Sequence, residues 1–195
     1  PEDPLIQHHL HDVSYKNIIL ENHKIRFLNT ETMIDLGAIA KGYIADQIKN
    51  YLLKENVKSA LINLGGNILC VGKKQENPFI IGVTNPQQTS DSLFSLKIND
   101  LSVVTSGTYQ RFFEIDSKRY HHILNPKTGY SYENGLSSVT IISKKSIQGD
   151  ALSTVCFSLG KEKLLNSLEG VSGCFIDENN QVSYSKAFKH YLNKG

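Results

Sequence analysis

No apolar run in this sequence is long enough to cross a bilayer as a helix, and no signal peptide opens it. The chain begins at Pro1 rather than Met, so it is expected to be processed or cut from something longer, and the missing leader says little about location. A surplus of one charge is also missing. The 21 basic and 19 acidic residues leave a net charge of +2, which gives no footprint for nucleic acid. Cysteine is scarce: Cys70, Cys156 and Cys174 have no CxxC spacing. An odd count of this kind argues against a full disulfide framework and against a cysteine-rich zinc site. Cys70 lies in the run Ile68-Leu69-Cys70-Val71, and Cys156 stands between Val155 and Phe157, so both read as small core residues. There is no internal repeat, low-complexity tract or composition shift to mark a domain boundary.

What is present is an ordinary globular composition, 39% hydrophobic and 21% charged over 195 residues, read as one domain spanning 1–195. Apolar runs bounded by turn residues predict strands at 15–20, 24–28, 59–64, 68–71, 79–83, 93–98, 101–105, 111–115, 119–124, 136–143, 174–177 and 182–184. Helical patterns follow residue 35 as far as Glu55, with Asn56 as the stop, and occupy 150–159, ending at Gly160, and 161–168. Many antiparallel strands with about three helices predict an α+β fold.

The stretch at 35–46 organises the rest. Ile39, Tyr43, Ile44, Ile48, Tyr51 and Leu52 recur at three- and four-residue intervals and are expected to share one face, with Lys41 and Asp46 elsewhere. A carboxylate, a glycine and a lysine at a helix start suit an anion. Gly65-Gly66 allows either a plain turn or close approach to a ligand. Ser106-Gly107-Thr108 reads equally as an anion-binding turn or an ordinary one. His8, His9 and His11 suggest either a metal or a solvated segment. On an alternating strand His121 and His122 face opposite sides, so at most one faces a given site. Pro126 and Gly129 mark a tight turn. Asp150 and Thr154 fall one turn apart on one helix face. They are an oxygen-donor pair suited to Mg²⁺, or else a helix N-cap and an ordinary helix residue.

Five segments occur in a familiar order: Asp35-Leu-Gly-Ala-Ile-Ala-Lys-Gly-Tyr43, Asn63-Leu-Gly-Gly-Asn67, Thr105-Ser-Gly-Thr-Tyr109, Arg119-Tyr-His-His-Ile-Leu-Asn-Pro-Lys-Thr-Gly129 and Gly149-Asp-Ala-Leu-Ser-Thr154. Together they closely resemble the ApbE family of flavin transferases. The resemblance implies a T-fold-like α+β architecture and Mg²⁺-dependent transfer of FMN from FAD to a threonine or serine hydroxyl of a target flavoprotein, releasing AMP. Hydrolysis of FAD to FMN and AMP at the same site, and a non-catalytic flavin-binding fragment, are the alternatives. It also implies roles for single residues. Asp35, Lys41 and Leu124 contact FAD, and Ala38 (through its carbonyl), Asp150 and Thr154 hold the metal. His122 neighbours the chemistry beside Asp150. Two positions depart from the family pattern: Thr108 stands where many relatives are acidic, and Asn67 where Asp is frequent. The chain reads as the C-terminal portion of a transferase. The full protein is expected in the cell envelope, outside the cytoplasm, on a lipid anchor.

Overall fold

The structure is a computed structural model that describes residues 3–116, 118–160 and 170–194. The helix expected at 161–168 lies outside the described residues. The chain forms two compact units, Pro1–Asp35 with Arg111–Tyr132, and Leu36–Gln110 with Glu133–Gly195.

In the first unit, α1 (Asp3–His9) leads through a 3-10 turn at Leu10–Asp12 to a second at Tyr15–Asn17. Residues 15–17 were expected to be strand. The Ser14 hydroxyl instead accepts from Lys16 N at 3.2 Å and winds them into a turn. The β1 (Ile18–Glu21) and β2 (Lys24–Phe27) hairpin closes on Asn22 and His23, both at positive φ, as a two-residue turn of the primed type requires. Asp12 ties this unit together. Its carboxylate accepts from the Asn29 amide, and its carbonyl accepts from Thr32 Oγ1 at 2.8 Å. His9 Nδ1 and His11 Nε2 approach the two carboxylate oxygens at 3.0 and 3.1 Å. Two of the three clustered histidines, His9 and His11, are therefore gathered round one buried carboxylate. Among the described residues no three His, Cys, Asp or Glu side chains are grouped to hold a metal.

The second unit is built on a six-stranded, wholly antiparallel sheet in the order β12-β11-β10-β7-β4-β3. Its strands are β3 (Ser59–Asn63), β4 (Asn67–Gly72), β7 (Ser102–Gly107), β10 (Leu136–Ser143), β11 (Ser172–Asp177) and β12 (Val182–Tyr184). The hairpin of β5 (Phe79–Asn85) and β6 (Gln88–Ile98) covers one face, where Phe79, Ile81, Leu96 and Ile98 pack on Cys70, Val103, Ile142 and Phe188. The helices α2 (Ala40–Lys54) and α3 (Ser146–Leu159) pack on the sheet through other residues; Ala45 meets Leu69 and Val71, which alternate with Ile68 and Cys70 along β4. Every residue of β10 is buried, as a central strand covered on both faces should be. The α+β class with a mostly antiparallel sheet and about three helices is what the chain adopts.

α2 ends as its sequence dictates. Asn56 takes a left-handed φ of 61°, Val57 N donates to Leu52 O and Asn56 N to Leu53 O, the paired bonds of a Schellman stop. Its apolar stripe is only partly buried. Tyr43, Ile44 and Tyr51 are 54, 47 and 63% exposed, while Gly42 and Ala45 are buried and Ile48 and Leu52 pack beside Ala45. The apolar count pointed to the large side chains, but close approach to α3 selects Gly42 and packing on Leu69 and Val71 selects Ala45. α3 begins at Ser146, one turn before the expected start.

Candidate functional site

The start of α2 carries most of the stretch at 35–46, and α3 meets it there. α2 has no side-chain cap of its own at Ile39. Its third residue, Gly42, donates its backbone N–H to Asp150 Oδ2 at 2.8 Å, a buried bond from a residue 108 positions away. The glycine is required by contact: a Cβ on Gly42 would lie 2.5 Å from Ile147 Cα and 2.5 Å from Ser146 O. The helices touch backbone to backbone at this point, and Asp150 closes the gap. Asp150 is thus neither free nor the N-cap of its own helix. It caps the neighbouring helix, whose dipole favours the carboxylate. Among the described residues its second oxygen, Oδ1, takes no hydrogen bond.

Lys41, beside Gly42, extends its ammonium to Gly65 O at 3.4 Å. This brings the first and second motifs together. Gly65 and Gly66 have φ of 62° and 90° and make a primed hairpin turn between β3 and β4, closed by Leu64 N donating to Asn67 O at 2.9 Å. The two glycines serve a turn that needs left-handed backbone. Asn67 begins β4 fully buried; its Oδ1 accepts from Ser146 Oγ at 2.7 Å, and its Nδ2 has no partner among the described residues.

The Ser106-Gly107 segment is strand rather than anion-binding turn: Gly107 pairs with Ser138 and Ser106 with Val139. Strand alternation aims Ser102, Val104 and Ser106 of β7 at α3. Ser102 Oγ meets Ser146 Oγ at 2.9 Å, and Ser106 Oγ meets Ser153 Oγ at 2.8 Å and Thr154 Oγ1 at 3.3 Å. Between them a Cβ on Gly149 would stand 3.0 Å from Val104 Cγ2. Small residues at every contact let α3 lie close along β7, so the third and fifth motifs also meet. Asp150 and Thr154 share the helix face that the sequence predicts. The Asp150 carboxylate, the Thr154 hydroxyl and the Ala38 carbonyl are all hard oxygen donors, the set that suits Mg²⁺. Ala38, on the exposed turn entering α2, is accessible.

Asp35, His122 and Leu124 belong to the first unit. β8 (Phe112–Ile115) and β9 (Lys118–His121) form the expected hairpin. The two histidines do part company. His121 is buried, with Nε2 at 2.9 Å from Tyr132 O, whereas His122 is exposed with Nδ1 at 3.2 Å from Arg111 O. Leu124 is exposed and bridges Ser131 at the mouth of the turn that Gly129, at φ 80°, completes. Tyr130 OH, just beyond, donates to Asp3 of α1.

The ApbE family profile matches residues 1–175. The chain belongs to the ApbE family. Among its curated relatives, the FAD:protein FMN transferase of Klebsiella pneumoniae (strain 342) is 47% identical over 156 residues, 78% of this chain and 48% of that protein. That of Treponema pallidum (strain Nichols) is 40% identical over 176 residues, 84% of this chain and 49% of that protein. The crystal structure of the ApbE protein of Thermotoga maritima superposes with a TM-score of 0.91 at 32% identity, covering 100% of this chain and 65% of that one. The chain therefore spans about half the length of the curated relatives it matches. Sequence reasoning missed Gly42, Asp46 and Ser106 as parts of this ApbE site. Their roles are contacts across 47 to 108 residues of chain, although Gly42 and Asp46, one turn apart in the stretch at 35–46, carried a hint of a shared helix face.

Proposed function

We propose that this protein transfers FMN from FAD to a threonine or serine hydroxyl of a target flavoprotein, releasing AMP, with Mg²⁺ as the cofactor. One observation carries the reading. In a chain of the ApbE family, a carboxylate is fixed on the first turn of α2 with one oxygen unused, Thr154 is one turn away, and Lys41 stands on the same helix start. The names of the relatives, FAD:protein FMN transferase, support the substrate and the acceptor.

In this reading Asp150 Oδ1, Thr154 Oγ1 and the Ala38 carbonyl hold the ion. Bound there, Mg²⁺ supplies charge neutralisation to pyrophosphate oxygens. The acceptor hydroxyl oxygen bonds to the FMN-side phosphorus, the bond from that phosphorus to the AMP oxygen breaks, and AMP leaves. Lys41 contributes a fixed positive charge, and the start of α2 contributes its dipole. Gly42 N holds Asp150 in one orientation. The family match alone supports nucleotide contacts at Asp35 and Leu124 and proton acceptance from the hydroxyl at His122. The envelope location and the lipid anchor rest on the same match.

The test combines full-length protein, FAD, Mg²⁺ and a flavoprotein domain carrying an acceptor threonine, followed by intact mass and nucleotide chromatography. The expected outcome is one FMN added to the target per AMP released, abolished in Asp150→Ala. AMP and free FMN without an adduct would replace transfer with hydrolysis. Absence of turnover would leave a flavin-binding module, and unchanged activity in Asp150→Ala would remove the metal assignment.

A further inference from the structure

The second carboxylate of the stretch at 35–46, Asp46, mirrors Asp150. α3, like α2, lacks a side-chain cap at its own N-cap, Lys145. The N–H groups of its first two residues go instead to Asp46 of α2: Ser146 N donates to Oδ1 at 2.8 Å and Ile147 N to Oδ2 at 3.0 Å. Gly42 and Asp46 lie one turn apart on α2, and Ser146 and Asp150 lie one turn apart on α3. Each helix therefore gives the other one carboxylate and receives one, and the bare backbone of Gly42 lies between the two bonds. With a Cβ-free contact in the middle and a charged cap on each side, the helices have one register.

We propose that Asp46 is a positioning residue for the Asp150 carboxylate. It holds the first turn of α3 on α2, and thereby sets where the unused oxygen of Asp150 stands relative to Ala38 and Lys41. The proposal rests on the reading of Asp150 as a Mg²⁺ ligand. The physical case is that two helix-end N–H groups facing a half-buried interface need an acceptor, and Asp46 is the one they have. Without it the start of α3 is free to lift, and Asp150, one turn along, is carried away from Gly42 N.

The variant is Asp46→Asn in the full-length protein, which keeps one acceptor oxygen and turns an NH₂ toward the other N–H. Amide exchange is measured on the metal-free protein, with Gly42 compared against Ile141 in the buried centre of β10. The Mg²⁺ dependence of FMN transfer is measured in parallel. Partners that orient a metal ligand typically change metal affinity by about tenfold or more, and we expect a rise of that order in half-saturating Mg²⁺, with the KM for FAD within about twofold. In the metal-free protein, Gly42 should exchange roughly tenfold faster relative to Ile141, about 1.4 kcal/mol of lost local protection. A variant that is merely less stable would speed both amides alike, and an unchanged Gly42 to Ile141 ratio overturns the proposal. If wild-type turnover proves independent of Mg²⁺ but Gly42 still loosens selectively, the metal reading fails and the positioning role stands. Should Asp46→Asn fail to fold, Asp46→Glu keeps both oxygens one methylene further out, and the same ratio decides.

Discussion

Gly42→Ala should cost stability even though it improves the helix. In an unconstrained helix interior, alanine gains about 1 kcal/mol over glycine. Here the new methyl would stand 2.5 Å from Ile147 Cα, 2.5 Å from Ser146 O and 2.7 Å from Ile147 N, all backbone atoms with no rotamer to yield. Ordinary contact begins near 3.4 Å, so α2 and α3 must part by about 1 Å, and overpacking of that kind costs roughly 1–3 kcal/mol. The separation also lengthens the 2.8 Å bond from Gly42 N to Asp150 beyond useful range, and a bond to a charged acceptor contributes about 1.5–3 kcal/mol. The net expectation is a loss of about 1.5–5 kcal/mol, which for a chain of this size lowers Tm by roughly 3–20 °C. Urea unfolding followed by far-UV circular dichroism gives the number directly. A variant as stable as the parent, or more stable by the helix-propensity increment, would refute the backbone contact and with it the geometry assigned to Asp150.

Two further outcomes follow from buried groups. Burial pushes the Cys70 and Cys156 thiols up to about 11 and Cys174 further, so a thiol reagent at pH 8 should leave all three unmodified in the folded protein and modify all three in denaturant; one fast-reacting thiol in the native state would contradict the packing. The His9 hydrogen bond holds the Asp12 carboxyl below the usual carboxylate range, against burial, with help from Asn29 and from the charges of His11 and His9. A carboxyl depressed in the folded state adds stability that is present above its unfolded value and lost as pH falls through the folded one. Proteolysis within residues 3–35 should therefore rise below about pH 4. Asp12→Asn should remove that acid step, and an identical step in the variant would refute the linkage.

The legible part of the site was chemical type and local order. Asp35, Lys41, Asp150 and Thr154 were picked out by residue kind and spacing, Ala38 only by the family resemblance, and Asn56 and Gly160 as helix stops by their backbone freedom. Spacing also separated His121 from His122, because strand alternation is a local rule. Where the reading failed, a distant contact had overridden a local preference. The large apolar residues Tyr43, Ile44 and Tyr51 satisfy a helical stripe, yet the helix buries Gly42 against the backbone of α3 and Ala45 against Leu69 and Val71 of β4. Ser106 looked like a turn residue, yet it is a strand hydroxyl facing Ser153. The start of α3 was placed one turn late because its cap comes from Asp46, 100 residues earlier.

The sequence by itself determined the α+β class, the turns and helix stops, and which residues carry oxygen donors and charge. These follow from backbone sterics and side-chain chemistry, which act within a few residues. Only the tertiary structure decided that Asp150 caps α2, that Asp46 caps α3, and that the five short motifs divide between two compact units. Those facts are hydrogen bonds and contacts between groups as much as 108 residues apart. No local preference encodes them, because each helix end would accept any nearby carboxylate, and only the fold determines which one is near.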